Sequence, residues 1–469
     1  MDTIAAIAAG GGAPSAIGII RISGPDCFEV CGRVFRASRP FGALEPRRMI
    51  LGEMLDARSR TVDRGLAVRF PGPNSYTGED SAEFHCHGSP VVLREVLAAL
   101  FAAGARQAGP GEFTKRAFLN GRLDLTQAEA VVDLIDAETA AAARNAAAQL
   151  DGGLRRTLEP IQEALLEITS RFYAVVDYPD EDIEDVRPEE VRKAMITAED
   201  ALTRLLASCK RGQVLKRGVR TAIVGLPNAG KSSLLNALAG YERAIVTDVP
   251  GTTRDTVEAS VLCGGVLLRL IDTAGLRETE DQVERLGVER SRRAMEEAEL
   301  ILLVSDDQVD LENRPRAYWE DFRQLLSMVG GRGTPWIFVA SKRDLSGKTA
   351  GSIGAWGGDR PWNGPTAYVS LSSVTGEGLE DLEKAVAALF PAGDPGEAGS
   401  ILTDQRQEEA AGRALAAVRR AREALEGGLT PDAVLTDAEE ALDALGELTG
   451  RTAREEIVER IFSRFCVGK

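Results

Sequence analysis

Histidine is nearly missing from this chain: two residues in 469, both in the tripeptide His85-Cys86-His87. In an extended strand the two imidazoles would share one face and Cys86 would point away, and no further histidine exists to complete a metal site. Aromatic residues are scarce at 5%, and positive charge is outweighed, with 72 carboxylates against 56 lysines and arginines for a net −16. That balance excludes a protein whose whole surface traps nucleic acid; an RNA partner would be held locally, and DNA is not expected. No apolar run approaches the ~20 residues of a membrane span, and no amphipathic lipid-binding surface stands out, which argues against a membrane partner. Met1-Asp2-Thr3-Ile4 has an acid where a secretory signal carries bases, and no cleavage pattern follows. Cys27, Cys31, Cys86, Cys209, Cys263 and Cys466 form no C-x-x-C pair, as expected of free thiols in a reducing compartment. These absences predict a cytoplasmic protein. There is no repeat and no low-complexity tract beyond an alanine bias.

What is present is ordinary soluble composition, 44% hydrophobic and 27% charged, in a chain long enough for two to four domains. Residues 1–120 alternate short apolar runs, such as Ala16 to Ser23 and Gly65 to Phe70, with turn signals, and hold one helix near Val91 to Leu100. From Thr126 the period changes. Thr126-x-x-Glu129 reads as a capping box, and the alanine-rich stretch to Leu150 contains no breaker. Helical patterning returns at Pro160 to Val176, Pro188 to Leu206, Gln405 to Leu425 and Asp437 to Phe465, with an acidic solvated loop from Asp177 to Asp185. Between these segments lies a nucleotide-binding region. The expected architecture is α/β multidomain: an N-terminal α+β domain (1–120), a discontinuous helical domain (121–215 and 391–469), and an inserted Ras-like P-loop domain (216–390). The basic clusters Lys210-Arg211 with Lys216-Arg217-Arg220, Arg419-Arg420-Arg422, and Arg451, Arg454, Arg460 and Arg464 read as solvated helix faces rather than phosphate tracks.

The apolar run Arg220 to Val224 leads into Gly225-Leu226-Pro227-Asn228-Ala229-Gly230-Lys231-Ser232, a complete G-x-x-x-x-G-K-S followed by Ser233. Its glycines let backbone N–H groups face phosphate, Lys231 neutralises the β- and γ-phosphates, and the Ser232 hydroxyl ligates Mg²⁺. A second strand, Val266 to Ile271, ends on Asp272-Thr273-Ala274-Gly275, the D-x-x-G of GTPases. A third, Trp336 to Ala340, delivers Ser341-Lys342-Arg343-Asp344 where guanine-specific proteins have N-K-x-D, with Ser341 departing from the pattern. Asp344 can accept from guanine N1 and N2, donors that adenine does not offer, so GTP is expected over ATP. Ser372-Ser373 resembles the loop behind the base. Leu276 occupies the place of the water-orienting glutamine of small GTPases, with Glu278, Glu280, Asp281 and Glu284 downstream, and Gly251-Thr252-Thr253 supplies a switch threonine for Mg²⁺.

Beyond the nucleotide motifs, three blocks carry a resemblance to the MnmE (TrmE) family of tRNA-modifying GTPases, over essentially the whole chain. They are Pro71 to Asp80 with Pro110-Gly111-Glu112-Phe113 and Arg116 to Asn120; Thr247-Asp248 with Gly251 to Asp255; and the terminal Phe465-Cys466-Val467-Gly468-Lys469. The resemblance implies that the first 120 residues bind a tetrahydrofolate derivative (5-formyl or 5,10-methylene) and form a homodimer, with Arg21, Glu83, Arg122 and Lys469 at the folate positions. It further implies K⁺ held by Asn228, Thr247, Val249 and Thr252, Mg²⁺ by Ser232 and Thr253, and GTP contacts through Asn228 to Ser233, Thr247, Asp248, Val249, Pro250, Gly251 and Thr252, Asp272 to Gly275, Lys342, Asp344, Ser372 and Ser373. Glu284 matches the catalytic glutamate, and Cys466, in the tail near the folate, is a candidate catalytic nucleophile toward the pyrimidine, with an inert structural cysteine as the alternative. The implied reaction, carried out with the FAD-bearing partner MnmG (GidA) in a heterotetramer, adds an aminomethyl or carboxymethylaminomethyl group at C5 of the wobble uridine (position 34) of tRNA. The rival expectations are a ribosome-assembly or signalling switch GTPase, which would leave the N-terminal blocks and the cysteine tail without purpose, and a membrane-remodelling GTPase.

Overall fold

The computed structural model describes residues 2–177, 187–241, 257–271, 292–306, 316–346, 364–391, 398–463 and 465–468. The acidic loop expected before Pro188 lies outside them. The chain divides into two compact units, one of Met1–Ile135, Ala147–Arg204 and Glu409–Lys469, the other of Asp136–Ala146 and Leu205–Glu408.

In the first unit seven strands form one sheet: β1 (Ile4–Ala9), β2 (Ser15–Ser23), β3 (Phe35–Arg36), β4 (Ile50–Leu55), β5 (Thr61–Phe70), β6 (Ser81–Gly88) and β7 (Arg106–Gln107), in the order β3-β4-β5-β6-β2-β1-β7. Alternation divides the two faces. Ile20, Ile22, Phe84 and Cys86 point into a core completed by helices Cys27–Val34 and Pro90–Ala102, through Val30, Leu93, Val96 and Leu100. Each large side chain buried there contributes roughly 1.5–3 kcal/mol. Gly18 lets the second helix approach, since a Cβ there would stand 2.5 Å from Leu93 Cδ1. The intervening residues Ile19, Arg21, Glu83 and His85 fall on the other face, where Arg21 pairs with Glu83 and Ile19 with His85 in the β2–β6 register.

Helix Gly153–Asp177 starts before Pro160 and carries that proline in its interior; burial of Leu154, Leu158, Ile161 and Leu165 along one face offsets the missing backbone bond. Tyr173 Oη donates to Glu439 Oε1 (2.5 Å) of helix Pro431–Thr449. The expected helix from Asp437 to Phe465 is two, because Gly450 ends the first with φ +89° and Glu455–Phe462 begins afresh. The stretch from Thr126 to Leu150 is likewise two helices, Leu125–Ile135 and Ala140–Leu150. Their break contains neither glycine nor proline; Glu138 is drawn to Arg269 (2.6 Å), and Thr139 Oγ1 accepts from the Ala142 N–H.

The capping box also differs from the expected Thr126-x-x-Glu129. Asp124 Oδ1 accepts from Gln127 N (2.9 Å) while Gln127 Oε1 accepts from Asp124 N (3.0 Å), a reciprocal pair two residues upstream. Thr126 is buried and donates to the same carboxylate (2.6 Å).

The second unit holds β8 (Val219–Val224), β9 (Val257–Cys263), β10 (Val266–Ile271), β11 (Leu300–Asp306), β12 (Trp336–Ser341) and β13 (Ala367–Ser370), in the order β13-β12-β11-β8-β10-β9. All neighbours are parallel except β9 and β10. Apolar clusters cover both faces, which is why β11 and β12 are near-continuous hydrophobic runs. The order reverses beside β8, and in such sheets ligands bind beyond the carboxyl ends of the strands at that point.

Asp124→Ala should cost about 1 kcal/mol of local stability, the usual worth of an N-cap. Hydrogen exchange at the Gln127 amide reads it directly; an unchanged rate would place the cap elsewhere.

Candidate functional site

β8 ends where the phosphate loop begins, and helix Lys231–Tyr241 follows. Gly225 is packed so closely on β11 that a Cβ would stand 2.2 Å from Val304 O. Gly230 has φ +97°, and its α-carbon faces Ser341 Oγ, 3.0 Å from where a Cβ would lie. Asn228 adopts φ +61°, a left-handed conformation that asparagine tolerates better than most side chains. Lys231 Nζ donates to Gly225 O (2.8 Å) and Leu226 O (2.9 Å), and burial pushes its ammonium down from the usual lysine value. A cation inside the loop and the N-terminus of an 11-residue helix behind it make this a receptor for a polyanion. Ala229, Ser232 and Ser233 lie on the same turn.

Ser341 closes the other side. It is buried at the end of β12, donating from Oγ to Ala229 O (2.5 Å), with Ser305 O 3.2 Å away. The departure from asparagine therefore keeps a side-chain tether between the phosphate loop and the end of β12. Lys342, at φ +60°, places Nζ 2.9 Å from Asp306 Oδ2. Asp344 is exposed in the short helix Arg343–Ser346, and the Arg343 N–H donates to Leu371 O (3.2 Å), joining the two base-side loops. Ser372 is buried and its Oγ accepts from Val374 N (3.3 Å) and Thr375 N (3.2 Å). Ser373 Oγ is buried with no hydrogen-bond partner among the described residues. Thr247 to Thr253, Asp272 to Gly275, Glu284 and Lys469 lie outside the described residues.

A second cluster occupies the face of the first sheet opposite its helices. Arg21 Nε donates to Glu83 Oε1 (3.0 Å), and the guanidinium lies over Tyr76 (5.5 Å) and Phe113 (5.8 Å). His85, two residues along β6, has Nε2 3.5 Å from Glu83 Oε2, buried and without a hydrogen-bond partner. Tyr76, Phe113 and His85 were not singled out for this place from the sequence; only the i, i+2 spacing of Glu83 and His85 could have pointed to one of them. Cys86 sits on the opposite, covered face, its thiol 3.1 Å from Met54 Sδ and pushed up to about 12 by burial, while His87 pairs with Asp63 (2.7 Å). Arg122 is exposed beside Gly78, whose φ of +80° and missing Cβ leave it room.

The C-terminal tail docks onto this unit. Phe465 and Phe462 pack against Phe118 and Leu125, Pro110 and Val467 form a β-bridge, and the Gly111 N–H donates to Cys466 O (3.2 Å). Gly111 has φ +62°, and a Cβ would stand 2.7 Å from Phe462 O; at Gly468 it would stand 2.5 Å from Ile7 O. Cys466 is held between these contacts with its side chain exposed. Arg116 beneath them is buried among Glu79 (3.0 Å), Glu112 (3.0 Å) and Asp2 (3.0 Å). Burial alone would raise Glu112, but hydrogen bonds led by Arg106 bring it down to about 2.

A doubly wound, mainly parallel sheet with a lysine-bearing phosphate loop after β8 and a base-reading loop after β12 defines a P-loop nucleotide-binding protein of the GTPase class. Residues 3–122 match the model of the GTP-binding protein TrmE N-terminus, and residues 125–466 that of the MnmE helical domain. The chain is 44% identical over 470 residues to the tRNA modification GTPase MnmE of Symbiobacterium thermophilum, covering 100% of this chain and 99% of the relative. Identity is 42% over 471 residues to the proteins of that name from Roseiflexus sp. (strain RS-1) and Thermus thermophilus, with the same shares covered. The chain belongs to the MnmE (TrmE) family.

Ser341→Ala should weaken binding of a fluorescent GDP analogue about tenfold, the worth of one buried hydrogen bond. Affinity within twofold of the wild type would show that the tether does not shape the loop.

Proposed function

We propose that the protein hydrolyses GTP as a K⁺-activated homodimer. In a cytoplasmic heterotetramer with an FAD-dependent partner, MnmG, it would use a one-carbon unit from a tetrahydrofolate derivative to build the aminomethyl or carboxymethylaminomethyl group at C5 of the tRNA wobble uridine. The observation that carries this reading over a signalling or ribosome-assembly switch is the docked tail. A switch that only changes affinity has no use for an exposed thiol held at a defined place by Gly111 and Gly468.

The residues fit the groups this function needs. Gly225 and Gly230 leave the phosphate cradle open where a Cβ would fill it. Ser232 and Thr253 would hold Mg²⁺, which when bound spreads the charge developing on the transferred phosphate. Asn228, with Thr247, Val249 and Thr252, would hold K⁺, a positive charge doing the work of an arginine finger. With Leu276 in place of a glutamine, Glu284 orients the attacking water, and Asp344 with Lys342 selects guanine. In the first unit the orphaned His85 Nε2 and the Arg21–Glu83 pair over Tyr76 and Phe113 are unspent polar capacity against aromatic walls, suited to a pterin ring. Arg21, Glu83, Arg122 and Lys469 would hold the folate, whose bound one-carbon unit supplies the carbon of the modification.

Replacing K⁺ by Na⁺ at matched ionic strength should slow GTP turnover about tenfold or more, because the cation contributes to the transition state. Equal rates in the two salts would remove the cation from the mechanism.

Cys466→Ser should leave GTP hydrolysis and its K⁺ response near wild type while abolishing wobble modification in cells lacking the native protein. Mass spectrometry of tRNA nucleosides decides it: normal modified uridine would exclude the thiol from the chemistry.

A further inference from the structure

Positive charge is concentrated at one edge of the first sheet. Residues 33–69 carry nine arginines, no lysine and four carboxylates, a net +5 within a chain of −16. They build β3, β4 and β5, the outermost strands on that side. Arg36, Glu53 and Arg64 lie side by side in the β3–β4–β5 register; Arg58 and Arg60 occupy the hairpin turn beyond one end of β4, and Arg47 and Arg48 precede its other end. The row follows a six-residue strand, so it spans roughly 20 Å.

Three of these nine arginines differ from the other basic clusters; of the rest, Arg33, Arg36, Arg48 and Arg60 pair with carboxylates, and Arg47 and Arg69 donate to backbone carbonyls. Arg419 and Arg422 are tied to Glu199, and Arg420 to Asp437 and Glu440, each within 3.0 Å, which leaves that helix face near neutral. On the sheet edge, Arg39, Arg58 and Arg64 are exposed, and their side chains have no ion-pair or hydrogen-bond partner among the described residues. Arg36 reaches Glu53 only at 3.4 Å, and Arg48 pairs with Glu45 where both side chains are more than 60% exposed, contacts that water and a competing anion displace readily.

We propose that this edge is an RNA-docking surface, gripping the phosphate backbone of the tRNA through Arg39, Arg58 and Arg64 with Arg36, Arg47 and Arg48 beside them. The inference rests on the tRNA-modifying function proposed above and supplies what an acidic protein needs, a local patch of unpaired guanidinium groups whose fork geometry matches phosphate oxygens. The aromatic residues of this segment, Phe35 and Phe41, are buried in the core, so the surface reads backbone charge rather than base identity. Arginine on a short edge strand can also serve to keep sheets from pairing edge to edge. That role predicts aggregation on neutralisation, with RNA affinity unchanged.

The test uses the full chain and a fluorescently labelled tRNA transcript, titrated across a series of KCl concentrations. Arg39→Gln/Arg58→Gln/Arg64→Gln should weaken binding about tenfold or more near 0.1 M salt and reduce the slope of log affinity against log salt by roughly 2. The control Arg419→Gln/Arg420→Gln/Arg422→Gln removes the same three charges from paired positions and should bind within about twofold of the wild type. Equal losses in both triple variants would mean that net charge alone is read, and would overturn the site. Unchanged binding by the first variant overturns it as well, while leaving the proposed function intact if that variant still restores wobble modification. A shift of the first variant to a smaller particle by light scattering would make the arginines a subunit contact and equally refute the inference. A wild type that neither binds the transcript nor modifies tRNA would remove both inference and function.

Discussion

One hydroxyl links the parts of the nucleotide site that the chain keeps far apart. Ser341, at the end of β12, donates to Ala229 in the phosphate loop, 112 residues earlier, and lies against Ser305 at the end of β11. Around this contact three strand ends are brought into one plane, and Gly225 and Gly230 are glycines because the strands leave no space for a Cβ. A shift of Ser341 would disturb the loop that carries Lys231 and the segment that carries Lys342 and Asp344 together. The phosphate loop and the segment after β12 are in this sense one mechanical element.

The first unit uses the same device for a different end. Gly111 takes a left-handed conformation so that the Phe462 carbonyl and the Phe465 side chain can pass directly over it, and the tail is clamped from Phe465 to Gly468. The buried Arg116 holds Asp2, Glu79 and Glu112 beneath, and Arg106 binds two of the same carboxylates. Because Glu112 is depressed to about 2 from an ordinary 4.5, its contribution to stability is present above pH 4.5 and is lost as pH falls through about 2. At neutral pH the clamp is fully charged, and the position of Cys466 does not depend on small changes in acidity.

Charge pairing also explains how an acidic protein can present one basic surface. Across the described helices most arginines are paired with a carboxylate one turn away or on a neighbouring helix. The edge formed by β3 to β5 escapes because its turn residues are exposed and its nine arginines outnumber its four carboxylates, too few to pair every guanidinium.

Local pattern by itself determined the strand, loop and helix of the phosphate site, the helix after Pro90, the apolar face of Val458, Phe462 and Phe465, and the motifs that mark the family, since each depends on residues within a turn or two of one another. Pattern could not place the helix break at residues 136–139, where the deciding contact is Glu138 with Arg269, 131 residues away. Nor could it choose Asp124 over Thr126 as the cap, because both are good capping residues and only burial of Thr126 removes it from the role. That Ser341 would tether the loop, that His85 would lie beside Glu83 without a partner, and that the tail would rest on Gly111 were all decided by tertiary structure. Each is a contact between segments distant in the chain, for which spacing in sequence carries no distance in space.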